Sequence, residues 1–370
     1  MAAAMLSENP NDDPHDDSER GSAQPATRLL RYFAIAYACL IIYASLHPFS
    51  GWRDAGVSPF AFLTLPWPRY WTVFDLATNV AAYVPLGFLF ALALRQLPGR
   101  ASAAIAAFVI GTLLSFCMEA VQTWLPSRVA SNVDLGCNAL GTAIGALLTC
   151  RYDERFFNRV AIVQRELLAP IPYTELGLVV IGLWLLTQLS PETILFGTGD
   201  LRRLLEITPT VPYAAHSFFA IETAIIVCNT IALGLFVRTL LSGRGSTFLL
   251  LVAFFALALV VRTLAAAILV GPFNASTWFT PGAAMGLLIG GALLTALLFL
   301  PTAMRIPIAG LALMAGTVLV NIAEPNPYSA AALAAWRQGH FLNFNGLTRL
   351  TASFWPFIAL FYFTLIGRKV

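Results

Sequence analysis

The sequence predicts an all-α protein: a polytopic bundle of transmembrane helices with about ten spans. Three observations carry this. Of the 370 residues, 58% are hydrophobic and 11% are charged, against about 25% charged in soluble proteins. Mean hydropathy is +0.75. The apolar residues gather into runs near or above the roughly 20 residues that cross a bilayer. Together these exclude a set of soluble domains, a disordered chain and a secreted disulfide scaffold. The bilayer is therefore the first partner.

The elements follow in order. Residues 1–27 are polar, hold six acids (Glu8, Asp12, Asp13, Asp16, Asp17 and Glu19) and have no apolar run. They are expected to be a disordered acidic cytosolic tail without the pattern of a signal peptide. The apolar runs lie at 29–46, 76–94, 102–124, 133–150, 174–190, 213–237, 247–270, 281–300, 306–323 and 350–367. The first four make a membrane domain over 28–150. Residues 151–172 place Phe156, Phe157, Val160, Val163, Leu167 and Leu168 at helical spacing among Arg and Glu, as an interfacial amphipathic linker would. Residues 173–370 form a second, six-helix domain. Spans one to four and five to eight form either two parallel halves of a worn repeat, with two further helices, or unrelated bundles. Leu46-His47-Pro48 against Leu189-Ser190-Pro191 and the glycine-rich fourth and eighth spans are the points of likeness. Both alternatives stay open.

Charge sets the orientation. With both termini cytoplasmic, fourteen Lys and Arg fall on cytoplasmic segments and seven on outer ones, with Arg262 inside a span. Trp52, Trp67, Trp71, Trp124, Trp278 and Trp336 then sit at outer ends and loops. The outer segments 47–75, 191–212 and 324–349 are long, and the first is expected to fold onto the membrane face.

Several chemistries are excluded. Lys369 is the single lysine, so no Schiff-base or phosphate-loop lysine exists. A net charge of +3 spread over loops indicates no nucleic-acid partner. Cys39, Cys117, Cys137, Cys150 and Cys228 lie in apolar runs without a Cys-x-x-Cys pair and read as small core residues. No dinucleotide fingerprint, phosphate loop, His-Glu-x-x-His or Gly-x-Ser-x-Gly occurs. No cofactor is expected, and no compact ligand spacing around His47 or the acids supports a metal.

Ionisable residues inside spans are costly and mark function by default. Asp75 and Asn79 share a face at the start of span two. Glu119 and Gln122 lie near the end of span three, and Arg128 in the turn that follows. Asp134 and Asn138 open span four, with Gly141 and Gly145 continuing that face in a spacing that permits close helix approach. The alternating topology puts all of these in the outer third of the membrane. Three carboxylates in a dry pocket cannot ionise together; an arginine, water or a retained proton must intervene, and the last makes a general acid.

These residues resemble a family. Glu119-Ala-Val-Gln122, Pro126-Ser-Arg128 and Asp134-x-x-x-Asn138-x-x-Gly141-x-x-x-Gly145, preceded by Asp75-x-x-x-Asn79 and Pro85-x-Gly87, look like the signature of VanZ-like membrane proteins over about residues 29–150. The sequence departs from that pattern at Ala130-Ser131-Asn132, where aromatic residues are common, and by its second half. The resemblance implies a bacterial inner-membrane protein of the cell envelope. The family's founding member is an accessory protein of teicoplanin resistance.

Three functions are weighed. In the first, a polar pocket open to the outer leaflet handles a lipid-linked or cell-wall precursor. Glu119, Asp134 and Asp75 supply charge or proton transfer, Arg128 holds an anionic group, and Gln122, Asn79 and Asn138 orient the others. In the second, the chain is a transporter with Glu222 and Arg262 as coupling residues. In the third, it is a non-enzymatic scaffold whose polar residues only fix helix packing. For Glu222 and Arg262, on helices adjacent in sequence, a structural ion pair is the favoured reading, and Gly141 and Gly145 are structural. Whether the chain is an enzyme, and its oligomeric state, are left open.

Overall fold

The computed structural model describes residues 14–54, 56–67, 72–151, 154–190, 193–202, 204–212, 214–243, 246–269, 271–324 and 342–367. Eleven α-helices lie among these: α1 Pro14–Leu46, α2 Val73–Ala93, α3 Arg100–Gln122, α4 Asn132–Thr149, α5 Glu154–Leu167, α6 Thr174–Thr187, α7 Ala215–Leu240, α8 Thr247–Leu269, α9 Pro281–Leu297, α10 Thr302–Ile322 and α11 Leu342–Gly367. Every one of the ten apolar runs has become a helix, and α5 forms where the amphipathic linker is expected. Helix α1 begins at Pro14, inside the segment read as a disordered tail; residues 1–13 lie outside the described residues. So do Trp71, Arg203, Trp336 and Arg337.

Among the described residues, seven helices are long and apolar enough to cross a membrane: Arg28–Leu46, Val73–Ala93, Arg100–Gln122, Ala215–Leu240, Thr247–Ile268, Ala303–Ile322 and Gly346–Gly367. This is fewer than the ten expected, and length is the main reason. At 1.5 Å per residue α6 spans about 21 Å and α9 about 25 Å, short of a hydrocarbon core of about 30 Å. Helix α4 has eighteen residues and is diluted by Asn132, Asp134, Asn138 and three glycines. The solvent of the outer faces is legible from their chemistry. Along α8, Leu249, Val252, Leu257, Val260, Leu264 and Ile268 are exposed, as are Ile105, Val109 and Leu113 of α3. Apolar stripes of this length need lipid around them. Cys39 and Cys117 also lie on exposed faces, so the reading of all five cysteines as core residues fails for these two: a stripe of lipid-facing residues has the same composition as a core.

The chain divides into two compact units. The first comprises residues 1–37, 65–117 and 131–164, and the second 38–64, 118–130 and 165–370. In the first, α2 packs along α4. Glycine sets the contact. A Cβ on Gly145 would collide with Val84 O and stand 2.7 Å from Phe88 N; one on Gly141 would collide with Val80 O; one on Gly87 would collide with Thr142 O. The helices thus meet backbone to backbone, the approach that small residues permit in membranes. Ala91, Ala104, Ala107 and Ala146 complete a small-residue core. Tyr37 Oη donates to Ala82 O at 3.0 Å.

In the second unit α7 packs against α9 and α10, and α11 against α6. Its core is large and aromatic. Trp184, Phe196, Phe236, Trp355 and Tyr362 are almost fully buried, and Trp355 Nε1 donates to Val180 O at 2.7 Å. Beyond α6 the chain runs without helix through residues 194–200. It is nevertheless buried, with Leu195 and Phe196 in the core. Phe196 (φ 60) and Gly199 (φ 84) take left-handed backbone. Gly199 N donates to Ala352 O, Asn321 Nδ2 donates to Gly199 O at 2.7 Å, and Leu201 N donates to Asn321 Oδ1. Ser353 Oγ donates to Asp200 O. The 191–212 segment is therefore partly core, not wholly an outer loop.

Candidate functional site

In the first unit the polar residues gather at the N-terminal ends of α2 and α4. Asn79 Nδ2 donates to Asp134 Oδ1 at 2.7 Å, across the α2–α4 contact. Both residues are half-buried, and Asp75 is near enough to act on Asp134 electrostatically. One turn on, Asn138 is buried and its Nδ2 donates to Ser115 Oγ of α3 at 2.9 Å. Its Oδ1 is buried without a hydrogen-bond partner among the described residues. On α4, Asp134 thus meets α2 and Asn138 meets α3.

Asp75 has a further task. Its Oδ2 accepts from Thr72 N at 3.0 Å and from Thr72 Oγ1 at 2.7 Å, and Thr72 Oγ1 accepts from Asp75 N at 3.1 Å. This is a complete capping box, which satisfies orphan donors of the first helical turn. Ser131 caps α4 in the same sense, accepting from Val133 N and Asp134 N. Reading Thr72-x-x-Asp75 and Ser131-x-x-Asp134 as helix starts would have found both. Replacing Ser131 by Ala is expected to cost about 1 kcal/mol of stability, read as a lowered melting temperature in lipid nanodiscs; unchanged melting would remove the cap from the account.

The second unit holds the other members, described on their own. Arg128 Nε donates to His47 O at 3.0 Å and its Nη2 to Ala44 O at 2.9 Å. These are carbonyls at the C-terminal end of α1, where helices leave acceptors unsatisfied. Burial pushes the Arg128 guanidinium below its ordinary range, and the Glu119 carboxylate pulls it back up. Glu119 is 4% exposed. Gln122 Nε2 donates to Ser45 O at 2.9 Å, so Gln122 and Arg128 together bind the last turn of α1. The His47 ring packs beside Tyr43, with centroids 5.6 Å apart, and a Cβ on Gly346 would come 2.8 Å from its Cδ2.

Glu222 and Arg262, expected to pair, have other partners. Arg262 is buried at 2% exposure. It donates to Ser190 O, to Thr193 O and, at 3.0 Å, to Thr193 Oγ1. Glu222, also buried, lies against the start of α9, where a Cβ on Gly282 would stand 3.0 Å from its carboxyl carbon. Backbone carbonyls have no sequence signature, so these acceptors of the two arginines could not be read in advance. No group of three or more His, Cys, Asp or Glu among the described residues could hold a metal ion.

Apolar helices long enough to span, lipid-suited outer faces and carboxylates held between helices define a multi-pass helical membrane protein. Residues 16–153 match the family model described as VanZ/LLP1. The chain resembles that family over this segment, which includes Asp75, Asn79, Glu119, Gln122, Arg128, Asp134 and Asn138. No curated protein and no solved structure matches the chain.

Proposed function

We propose that the VanZ/LLP1-like segment binds a cell-envelope component, a lipid-linked or cell-wall precursor, through its polar residues near the outer membrane face. The observation that carries this reading is the Asn79–Asp134 bond. It fixes a half-buried carboxylate at a helix crossing that glycines have already closed, where an apolar pair would pack at lower cost. Asp134 supplies charge or accepts a proton, Asn79 aims it, and Asn138 offers a buried carbonyl oxygen one turn deeper. Glu119 adds a second carboxylate in its own surroundings. Asp75, already engaged with Thr72, tunes Asp134 through its charge. Arg128, with two donors on the end of α1, chiefly positions that end, and its charge favours an anionic head group. A bacterial inner membrane with both termini cytoplasmic fits the two-to-one Lys and Arg bias and the family resemblance. A part in glycopeptide tolerance would follow if the ligand is the drug's own precursor target.

The test compares wild type with Asp134→Asn and Glu119→Gln in nanodiscs, reading thermal stability and binding of lipid-linked cell-wall precursors and of anionic and zwitterionic envelope lipids. Asp134→Asn is expected to lower binding at least tenfold with melting within about 2 °C of wild type, since the amide keeps the shape and removes the charge. Lost stability with no ligand bound by wild type would replace this reading with a scaffold. Ligand uptake into vesicles that depends on Glu222 and Arg262 would replace it with a transporter.

A further inference from the structure

The second unit carries a pair of arginines that the proposed function does not use, at the end where α7 and α9 finish. The two helices run in the same direction and touch at successive turns. A Cβ on Gly286 would stand 3.0 Å from Thr223 O, one on Gly290 3.2 Å from Val227 Cα, and one on Gly234 would collide with Leu294. One turn further, on the same faces, stand Arg238 in the last turn of α7 and Leu298 at the C-cap of α9. Leu298 O accepts from Arg305 Nη2 at 3.2 Å, and Leu300 O from Arg305 Nε at 2.8 Å. Arg238 and Arg305 thus come to one helix end, near enough to act on each other electrostatically.

Helix capping accounts for part of this. Arg238 Nη1 donates to Leu241 O at 3.2 Å, so each guanidinium serves carbonyls that a helix end leaves open, and a cation there suits the helix dipole. Capping does not account for two cations at one place without an anion. Both side chains are half-buried, and among the described residues neither is ion-paired. Ser242 N donates to Leu167 O and Ala169 N to Leu240 O, which brings the end of α5 and the start of α6 to the same end. The acids there, Glu166 and Glu175, form no ion pair with either arginine, and Arg165 adds an exposed cation. Like charges repel, more strongly as water is excluded. Each fork also has donors to spare, since a guanidinium carries five N–H groups.

We infer that Arg238 and Arg305 form a headgroup site for an anionic phospholipid, with its phosphate between the two guanidiniums and an acyl chain along Phe299 and Met304. Two planar forks match the oxygens of a phosphate, and its charge turns the repulsion between them into attraction. The neighbouring surface selects a lipid over a soluble phosphate. Phe299, between the two accepting carbonyls in sequence, is 86% exposed, and Met304, next to Arg305, is exposed as well. Apolar side chains standing out beside paired cations fit a molecule that is charged at one end and apolar at the other. Basic pockets between transmembrane helices bind anionic lipid headgroups on the cytoplasmic side. With both termini cytoplasmic, this end of α7 and α9 faces that side, and the lipid belongs to the inner leaflet.

The test uses the full chain in a neutral detergent and reads its thermal midpoint with added phosphatidylglycerol or, at the same mole fraction, phosphatidylcholine. Phosphatidylglycerol is expected to raise the wild-type midpoint by about 3 °C or more over phosphatidylcholine, as a ligand of the folded state does. Arg238→Gln with Arg305→Gln is expected to lose most of that difference. Arg165→Gln, which removes an exposed charge of the same end, is expected to keep most of it. The difference between two lipids is read on each variant, so a midpoint lowered by lost caps does not move it. If the double Gln variant fails to accumulate, Arg238→Lys with Arg305→Lys keeps both charges without the forks and should lose about half of the difference or more. No preference for phosphatidylglycerol in wild type, or a full preference in the double variants, overturns the site. An equal loss in Arg165→Gln overturns it in favour of diffuse surface charge. The same shift from glycerol 3-phosphate alone overturns the lipid in favour of a soluble phosphate.

Discussion

Gly145→Ala is expected to destabilise the protein by about 3 kcal/mol, the upper end of the range for overpacking a well-filled contact. The new methyl would meet Val84 O and Phe88 N, which are backbone atoms of α2. A side chain could turn aside, but a helix backbone cannot, so the helices must part along their shared contact and the Asn79–Asp134 bond lengthens with them. Gly136, on the same helix, has open space at its Cβ position. Gly136→Ala should therefore be neutral or slightly stabilising, because alanine is the better helix former. Thermal or denaturant unfolding of the two variants in nanodiscs decides it. Equal stability would mean that the α2–α4 contact is not as close as described.

Arg262→Ala is expected to cost about 3 kcal/mol or more. The guanidinium is buried and serves Ser190 O, Thr193 O and Thr193 Oγ1. Its removal strands these acceptors, at about 1–3 kcal/mol for each buried polar group left unsatisfied. Arg262→Lys supplies one charged centre with fewer directions and should recover part of the loss. Arg128→Ala removes a similar clasp from Ala44 and His47 but at a half-buried place, where water can replace the donor, so a smaller loss is expected. Melting temperatures and yields of the three variants are the measurement. A tolerated Arg262→Ala would assign the residue to ligand or ion handling instead of support.

The fold was legible in the sequence wherever apolar length alone decides the outcome. All ten runs became helices because few other structures satisfy a backbone inside lipid. Which of them reach across was less legible, since run length overstates helix length: the run 174–190 ends as a helix at Thr187, and 281–300 at Leu297. In the candidate site, the i, i+4 faces of α2 and α4 led to Asn79, Asp134 and Asn138, and all three are hydrogen-bonded across helices. Asp75 looked like a third member because its helix-start pattern with Thr72 went unread. Arg128 and Arg262 also donate to main-chain carbonyls, which every residue carries and no residue type announces.

The irregular stretch at 194–200 has a consequence for anyone who would modify this protein. Connections between helices are ordinarily the places to insert a tag, a protease site or a fluorescent domain, because they lie at the surface and tolerate added length. This one is a connection by geometry and core by environment, with its side chains buried and its peptide groups held by Asn321, Ala352 and Ser353. Engineering should treat it as a helix interior and place insertions elsewhere.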